Sequence, residues 1–190
     1  MKRTLLGILF ISFCSACEAQ PRTYDIDVVI FSHLTPQTVQ SEQWPALSSD
    51  MTSAFDRNDQ LNDIKPTYQL QREKNVLQRT PGYSVLYSGS FRHSWSGNGT
   101  SITIPVKDNA LAGNITVTLG HYFDVRTDLL LTEPTALLQK MDARGYFAHW
   151  NQPTYSFHFM QNRRMRSREL NYLGSPLMGV LIKMNPVSQP

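Results

Sequence analysis

Hydrophobic and polar residues alternate with a period of two along much of the chain, a pattern typical of half-buried β-strands. In YDIDVVIF, the even positions from Tyr24 to Ile30 are apolar and share one face. Asp25 and Asp27 lie on the opposite face, where we expect solvated charges rather than a catalytic carboxylate pair. The pattern therefore predicts a first strand over YDIDVVIF, close to the N-terminus.

The clearest alternation is NITVTLGHYFDVRTDLLL, in which the odd positions from Ile115 to Leu131 form one largely apolar face. A single strand of this length would span about 55–60 Å at ~3.3 Å per residue, which is too long for a small domain. Gly120 therefore predicts a bulge or bend. On this face, His121 is predicted to be a hydrogen-bonded core histidine rather than a metal ligand.

Other segments predict shorter elements. Helical spacing over 67–79 ends at Pro81-Gly82, which stops helices. A strand follows, with Tyr83, Val85, Tyr87, Phe91 and Trp95 predicted on one face. An Asn98-Gly99 turn then leads into SITIPV, predicted to be its hairpin partner, and Pro105 there indicates an edge strand.

Near the C-terminus, EPTALLQKMDARG predicts a short helix or turn, and YSFHFMQNRRM and MGVLIKM predict two final strands. Residues 33–66 have no sustained period and predict a long loop after the first strand. The expected fold is α+β: a mostly antiparallel sheet with one or two short helices in a single domain.

The N-terminus has the layout of a secretory signal peptide, with Lys2 and Arg3 followed by a short apolar run and small residues. We expect cleavage after Ala19, a single mature domain over 20–190 and a periplasmic location. The mature chain then has no cysteine. The apolar run of the signal peptide is too short to span a bilayer. The alternative is a lipoprotein signal that anchors the protein through Cys17.

Composition narrows the possible functions. The full chain has 18 Lys+Arg against 15 Asp+Glu, so nothing requires a polyanionic partner. It contains no GxSxG, HExxH or glycine-rich phosphate loop, and its five histidines are not at metal-ligand spacing. We therefore expect neither an enzyme nor a metal or other cofactor, and the export signal argues against nucleic acid.

Positive charge is concentrated in QNRRMRSREL. If the strand from Tyr155 continued through this segment, Arg164, Arg166 and Arg168 would share one face, and Arg163 would lie with the phenylalanines of the other. Such a row of guanidinium groups could bind carboxylates in bidentate pairs. It could equally be a structural cluster neutralised by nearby acids and carbonyls, and the residues alone leave both interpretations open.

The segment RRMRSRELNYLGSPLMGVLIKMNP resembles the C-terminal signature of the CsiV family of periplasmic peptidoglycan-binding proteins. YDIDVVIFSH, EQWP and GYSVLYSGSFRHSW resemble further segments of that family. Two positions depart from its pattern: Gly174 stands where aspartate is usual, and Tyr87 or a neighbour stands where histidine is usual.

The resemblance implies a non-catalytic protein that supports peptidoglycan assembly and cell shape. Stem-peptide carboxylates would pair with Arg164, Arg166 and Arg168, and sugar faces would stack on Tyr172 and Trp95, with Tyr155 as a further candidate. The alternative is a periplasmic protein–protein adaptor. It would bind a peptidoglycan-synthesis protein or its activator, or an outer-membrane lipoprotein, through a sheet edge or the 33–66 loop.

Overall fold

The computed structural model describes residues 21–45 and 68–188. Eight strands form two antiparallel four-stranded sheets, with strand orders β2-β1-β8-β7 (sheet A) and β3-β4-β5-β6 (sheet B). The strands are β1 Arg22–His33, β2 Tyr83–Trp95, β3 Thr100–Asp108, β4 Leu111–Leu119, β5 Phe123–Pro134, β6 Thr154–Met165, β7 Leu170–Gly174 and β8 Met178–Pro186. The helices are α1 Pro36–Val39, α2 Gln71–Arg79 and α3 Thr135–Met141. The predicted α+β class with mostly antiparallel pairing is confirmed.

The core lies between the two sheets, because both contribute their apolar face to one cluster. Ile26 and Ile30 of β1 are buried with Val117 of β4 and Val125 of β5. In β4 every second residue is buried, as its alternating sequence predicts. Period-two patterning therefore identified the inward faces of β1, β4 and β5 correctly.

The long alternating segment is two strands rather than one. β4 and β5 pair antiparallel, and the Gly120 N–H donates to the Tyr122 carbonyl at 2.8 Å across the turn between them. The expected bend at Gly120 is thus a complete reversal of the chain. Two short strands replace the single strand of about 55–60 Å, and the odd positions of β4 and β5 face inward. His121 lies in this turn and is exposed, so its prediction as a core histidine was wrong.

Gly113 allows β4 to approach β5 closely. Its φ is 145°, in the region that favours glycine, and it pairs with Leu129. A Cβ at this position would lie 2.7 Å from the Leu129 Cα and closer still to the Asp128 carbonyl oxygen. Any side chain here would therefore push against the backbone of the neighbouring strand.

The predicted pairing of β2 with β3 was wrong. β3 pairs with β4, and the chain passes from sheet A to sheet B at the Asn98-Gly99 turn. β3 is nevertheless an edge strand of sheet B, as Pro105 indicated. The register of β1 with β2 also shifts between Ile30 and Phe31, which pair with Tyr87 and Val85.

This shift changes which residues of β2 share a face. Ile30 and Phe31 lie on opposite faces of β1, so their partners Tyr87 and Val85 do as well. Val85 and Tyr83 therefore do not share the inward face with Phe91 and Trp95. The single five-residue face predicted for β2 was wrong at its N-terminal end.

Asp25 and Asp27 are buried, so the prediction that they are solvated was wrong. Leu70 at the start of α2 is also buried, and Lys74 of α2 donates to the Ser88 hydroxyl at 2.9 Å, which places this helix over the outer face of sheet A. The sequence did not show that a helix covers this face. Arg92 donates to both carboxylate oxygens of Asp25, at 2.7 and 2.9 Å.

Asp27 is the more constrained carboxyl group. It is 0% exposed, its Oδ1 accepts from the Ser90 hydroxyl at 2.5 Å, and its Oδ2 has no hydrogen-bond partner among the described residues. Burial raises the pKa of Asp27, and the nearby Asp25 adds to this effect, although the hydrogen bond from Ser90 opposes it.

The predicted helices over 67–79 and after Glu133 are confirmed as α2 and α3. Two elements were missed: the single turn α1, capped by Thr35, and the short strand β7 between the two predicted final strands. The predicted signal peptide over 1–19 and residues 46–66 of the predicted loop lie outside the described residues.

Candidate ligand-binding site

A concave site forms where β1 begins, where β4 turns into β5, and where the chain leaves β6. Its cavity is about 260 Å³. We call it the basic pocket and define it by the side chains that the chemistry depends on: Arg22, Tyr24, His121, Tyr122, Arg166 and Glu169. Three segments that are distant in sequence thus bring two arginines and a histidine to one cavity.

Tyr122 organises the two arginines nearest to it. The guanidinium carbons of Arg164 and Arg166 lie 5.8 and 5.7 Å from the centroid of its ring. At this distance, the negative face of the ring attracts a cation. A turn residue that the alternation pattern assigned to a strand therefore holds part of the predicted arginine row.

The two arginines differ in their acidic partners. The Arg164 Nε lies 3.3 Å from the Asp124 Oδ1, and the two side chains are 68% and 44% exposed, so this is a weak surface pair. Within 21–45 and 68–188, no carboxylate lies within ion-pair distance of Arg166. Arg166 therefore keeps N–H groups available for an acidic ligand.

Arg22 forms the other basic side of the pocket. Its Nη2 donates to the Asn98 Oδ1 in the turn after β2. Asn98 is neutral, so this contact orients the guanidinium without cancelling its charge. Two arginines face one acidic residue, Glu169, in the lining of the pocket.

The predicted row of three arginines on one strand is not formed. β6 ends at the buried Met165, so Arg166 already lies beyond the strand. Arg168 has a φ of 67°, and its N–H donates to the Met184 carbonyl at 2.7 Å. Arg168 thus forms a tight turn onto sheet A and does not line the pocket, because the strand that would have aligned it has ended.

Arg163 was predicted to point into the core face of β6. It shares that side of the strand but is exposed at its end, and its Nη1 donates to the Tyr172 carbonyl at 2.7 Å. Gln161 on the same side donates to the Gly174 carbonyl at 2.8 Å. These side chains therefore bind the outer edge of β7 and connect the two sheets.

The aromatic residues predicted to stack on sugars lie apart in the fold. Trp95 is 1% exposed and packs against Tyr24 and Phe123, with ring centroids 5.9 and 5.7 Å apart. It therefore supports the floor of the basic pocket and presents no ring face to a sugar. Tyr155 is also buried, with its hydroxyl donating to the Trp44 carbonyl at 2.7 Å.

Tyr172 is accessible but lies elsewhere. It is 47% exposed and lines a second cavity, which we call the aromatic groove and define by Phe31, His33, Tyr83 and Tyr172. The sequence interpretation had combined Tyr172 and the arginines into one surface. The structure places Arg166 and Tyr172 in different cavities.

Sequence reasoning missed five of the six residues that define the basic pocket, among them Arg22, His121 and Tyr122. Arg22 looked like an unremarkable strand start, and the other two were assigned to a continuous strand. The available signal was Gly120, since an overlong alternating segment with one central glycine is also the pattern of a tight hairpin. Interpreting Gly120 as a reversal would have brought His121 and Tyr122 to a turn tip.

In 21–45 and 68–188 no three His, Cys, Asp or Glu side chains cluster so that they could hold a metal ion. No helix in the same ranges is long and apolar enough to cross a membrane.

Comparison with known proteins places the chain in a family. A sequence profile of the family described as "Peptidoglycan-binding protein, CsiV" matches residues 65–187, which is more than half of the chain. The match includes Tyr122, Arg166 and Tyr172 but begins after Arg22 and His33. No curated protein and no solved structure matches the chain. The chain belongs to the CsiV family of peptidoglycan-binding proteins.

Proposed function

We propose that this protein binds peptidoglycan in the periplasm without reacting with it, and that it supports assembly of the cell wall and cell shape. We further propose that carboxylates of the stem peptides bind in the basic pocket. The observation that carries the proposal is the position of Arg166 in this cavity, against Tyr122. Among the described residues, Arg166 has no ion-pair partner.

The contact of Arg166 with Tyr122 leaves it able to recognise a carboxylate. At 5.7 Å from the ring centroid, the guanidinium group is attracted through its charge, and this attraction needs no hydrogen bond. The N–H groups around its edge remain available, and they match the two oxygens of a carboxylate. Tyr122 thus orients the guanidinium group of Arg166 before a ligand binds, which reduces the conformational entropy lost on binding.

Arg22 and His121 add to this recognition. Arg22 keeps its charge because its partner is the neutral Asn98. His121 is exposed at the same cavity and can donate a hydrogen bond to an acidic group. Each exposed arginine–carboxylate contact is weak. Free carboxylates recur along peptidoglycan, so a protein that dissociates from one stem peptide can rebind at the next.

The cellular location is part of the proposal. We propose that residues 1–19 are a signal peptide and that residues 20–190 form the mature periplasmic domain. Its partners are then peptidoglycan and, as a further proposal, a peptidoglycan-synthesis protein or its activator. The intact mass of the exported protein should correspond to a start at Gln20, and a diacylated Cys17 would contradict this assignment.

Cosedimentation with purified sacculi tests the function directly. Arg166→Gln and Arg22→Gln should each reduce the fraction of the protein that pellets with sacculi, since each removes one guanidinium group from the pocket. Arg72→Gln is the matched control, because it removes an exposed arginine from α2, outside the pocket. Binding should also weaken as salt rises above ~0.15 M, where the Debye length falls below about 8 Å.

The melting temperature of each variant separates binding from folding. We expect the two pocket variants to melt within about 2 °C of the wild type, because exposed substitutions change stability by about 0.5 kcal/mol or less. If the wild type stays in the supernatant, the protein does not bind peptidoglycan and the adaptor alternative is favoured. If Arg166→Gln and Arg72→Gln pellet equally, the basic pocket is not the site.

A further inference from the structure

The aromatic groove is a second cavity, on the outer face of sheet A. It has a volume of about 390 Å³ and lies between α2 and the turn that joins β7 to β8. Phe31 and His33 of β1, Tyr83 of β2 and Tyr172 of β7 supply its rings. Its size falls in the range of small-molecule sites, which is about 300–1,000 Å³.

Two glycines let rings of the groove lie directly against the backbone of sheet A. Gly174 and Gly179 are directly opposite each other on β7 and β8. A Cβ at Gly179 would lie 2.5 Å from the Phe31 Cζ and 2.6 Å from the Tyr172 Cε2, so both rings rest directly on the backbone. The rings of Phe31 and Tyr172 are nearly parallel, at 16°, with centroids 6.3 Å apart.

A second ring pair forms beside the first. The His33 and Tyr83 rings stack at 5° with centroids 4.1 Å apart. This pair follows from the register of sheet A, because His33 is the cross-strand partner of Tyr83. Four rings from three strands are thus fixed by cross-strand packing rather than carried on a loop.

The chemistry of the groove is neutral. No Asp, Glu, Lys or Arg is among the described residues that line it, whereas hydroxyl groups are present on Thr80, Ser175 and the two tyrosines. Burial, together with the neighbouring Tyr83, raises the pKa of the Tyr172 hydroxyl, so it stays protonated and can both donate and accept. A carboxylate entering this cavity would lose water without gaining a cation.

A pyranose ring fits this combination. Its C–H faces carry slight positive charge and pack on the negative faces of aromatic rings, while its rim of hydroxyl and amide groups needs hydrogen-bond partners. We propose that the aromatic groove binds the neutral N-acetylated saccharide backbone of peptidoglycan, as a subsite separate from the basic pocket. This inference rests on the proposed function, which it deepens by assigning different parts of the ligand to different cavities.

The two subsites are joined by one rigid element. Tyr24 lines the basic pocket and Phe31 lines the aromatic groove, and both lie on β1. Seven residues of strand separate them, or about 23 Å at ~3.3 Å per residue. Two weak sites at a fixed spacing on one polymer bind more tightly than either alone, because the second contact forms at a high effective concentration.

The probe for the groove is the β-1,4-linked tetramer of N-acetylglucosamine, which has no peptide and no charge. We expect saturable binding in titration calorimetry, weakened at least tenfold by Tyr172→Ala. Tyr172→Phe keeps the ring and should weaken binding less. Tyr146→Ala is the matched control, since Tyr146 is 46% exposed and lies outside the groove.

The outcomes separate this inference from the proposed function. If sacculi pellet with the wild type but the tetramer does not bind, the groove is not a saccharide subsite and the proposed function stands. Tetramer binding that survives Tyr172→Ala would also overturn the inference. If the tetramer does not bind and Tyr172→Ala changes the sedimentation coefficient, the groove is instead a contact with a second copy of the chain.

Discussion

Replacing Gly113 by alanine should destabilise the protein strongly, because the new Cβ would strike the backbone of β5. It would lie 2.7 Å from the Leu129 Cα, whereas ordinary contacts of a Cβ begin at 3.4 Å. Relief therefore requires the strands to separate by at least ~0.7 Å, and by more at the Asp128 oxygen, which stretches a ladder hydrogen bond of about 2.9 Å beyond its useful range.

The expected cost follows from two contributions. A φ of 145° strains a residue that has a Cβ by about 1–3 kcal/mol. Loss of two flanking hydrogen bonds adds about 2 kcal/mol. Together these lower the free energy of unfolding by about 3–5 kcal/mol, which corresponds to roughly 6–20 °C in melting temperature for a chain of this size.

Urea unfolding followed by circular dichroism would measure this change. Gly97→Ala is the matched control, because a Cβ at Gly97 would meet no atom within 4 Å, and we expect it to change stability by about 0.5 kcal/mol or less. If Gly113→Ala and Gly97→Ala unfold at similar urea concentrations, the close approach of β4 to β5 is wrong. The β4–β5 turn carries Tyr122, so sacculus binding should also fall in Gly113→Ala.

Three further predictions concern single side chains. Leu119→Ala should lower the free energy of unfolding by about 2–5 kcal/mol, because Leu119 is buried. Thr118→Ala on the opposite face should lose only a hydroxyl contact of about 0.5–1.5 kcal/mol. Equal losses in urea unfolding would show that the faces are assigned wrongly. Arg163→Gln should cost no more than about 1.5 kcal/mol, since it removes one exposed hydrogen bond to β7, and a loss of more than about 3 kcal/mol in urea unfolding would contradict this. Asp27→Asn should gain stability relative to the wild type as pH rises from 3.8 towards the raised folded-state pKa and then level off, because ionisation favours the unfolded state in that interval; a difference that is constant from pH 3 to pH 8 would show that Asp27 titrates normally.

Local patterns predicted which residues of the strands are buried but not which strands pair. The odd positions of β4 and β5 were assigned correctly because burial of one face imposes a period of two whatever the partner is. The pairing of β3 with β4 rather than β2 was not predictable in this way, since either neighbour satisfies the same pattern. Asp27 was misassigned for a related reason: Val29 and Phe31 on the same face indicate a cover over the later residues of β1, but the strand does not show that the cover extends over Asp27.

The basic pocket was predictable only in part. The density of arginines after β6 indicated a charged site, and Arg164 and Arg166 do meet at Tyr122. Arg168 was misplaced because the sequence does not show that β6 ends at Met165, and its positive φ is a property of the turn. Arg22 and His121 reach the pocket through tertiary packing, so no local pattern could have joined them to the cluster.

The strand orders of the two sheets have a consequence for how the chain folds. Sheet B consists of consecutive strands, β3 to β6, so each pairing closes only the segment between two neighbouring strands, of which residues 135–153 are the longest. Sheet A joins β1 to β8, which lie at opposite ends of the described chain, and therefore closes the longest loop. Non-local pairing of this kind forms slowly. We expect sheet B to assemble first and β8 to complete sheet A last, so the aromatic groove, which needs β1, β7 and β8 together, matures after the hairpin that carries Tyr122.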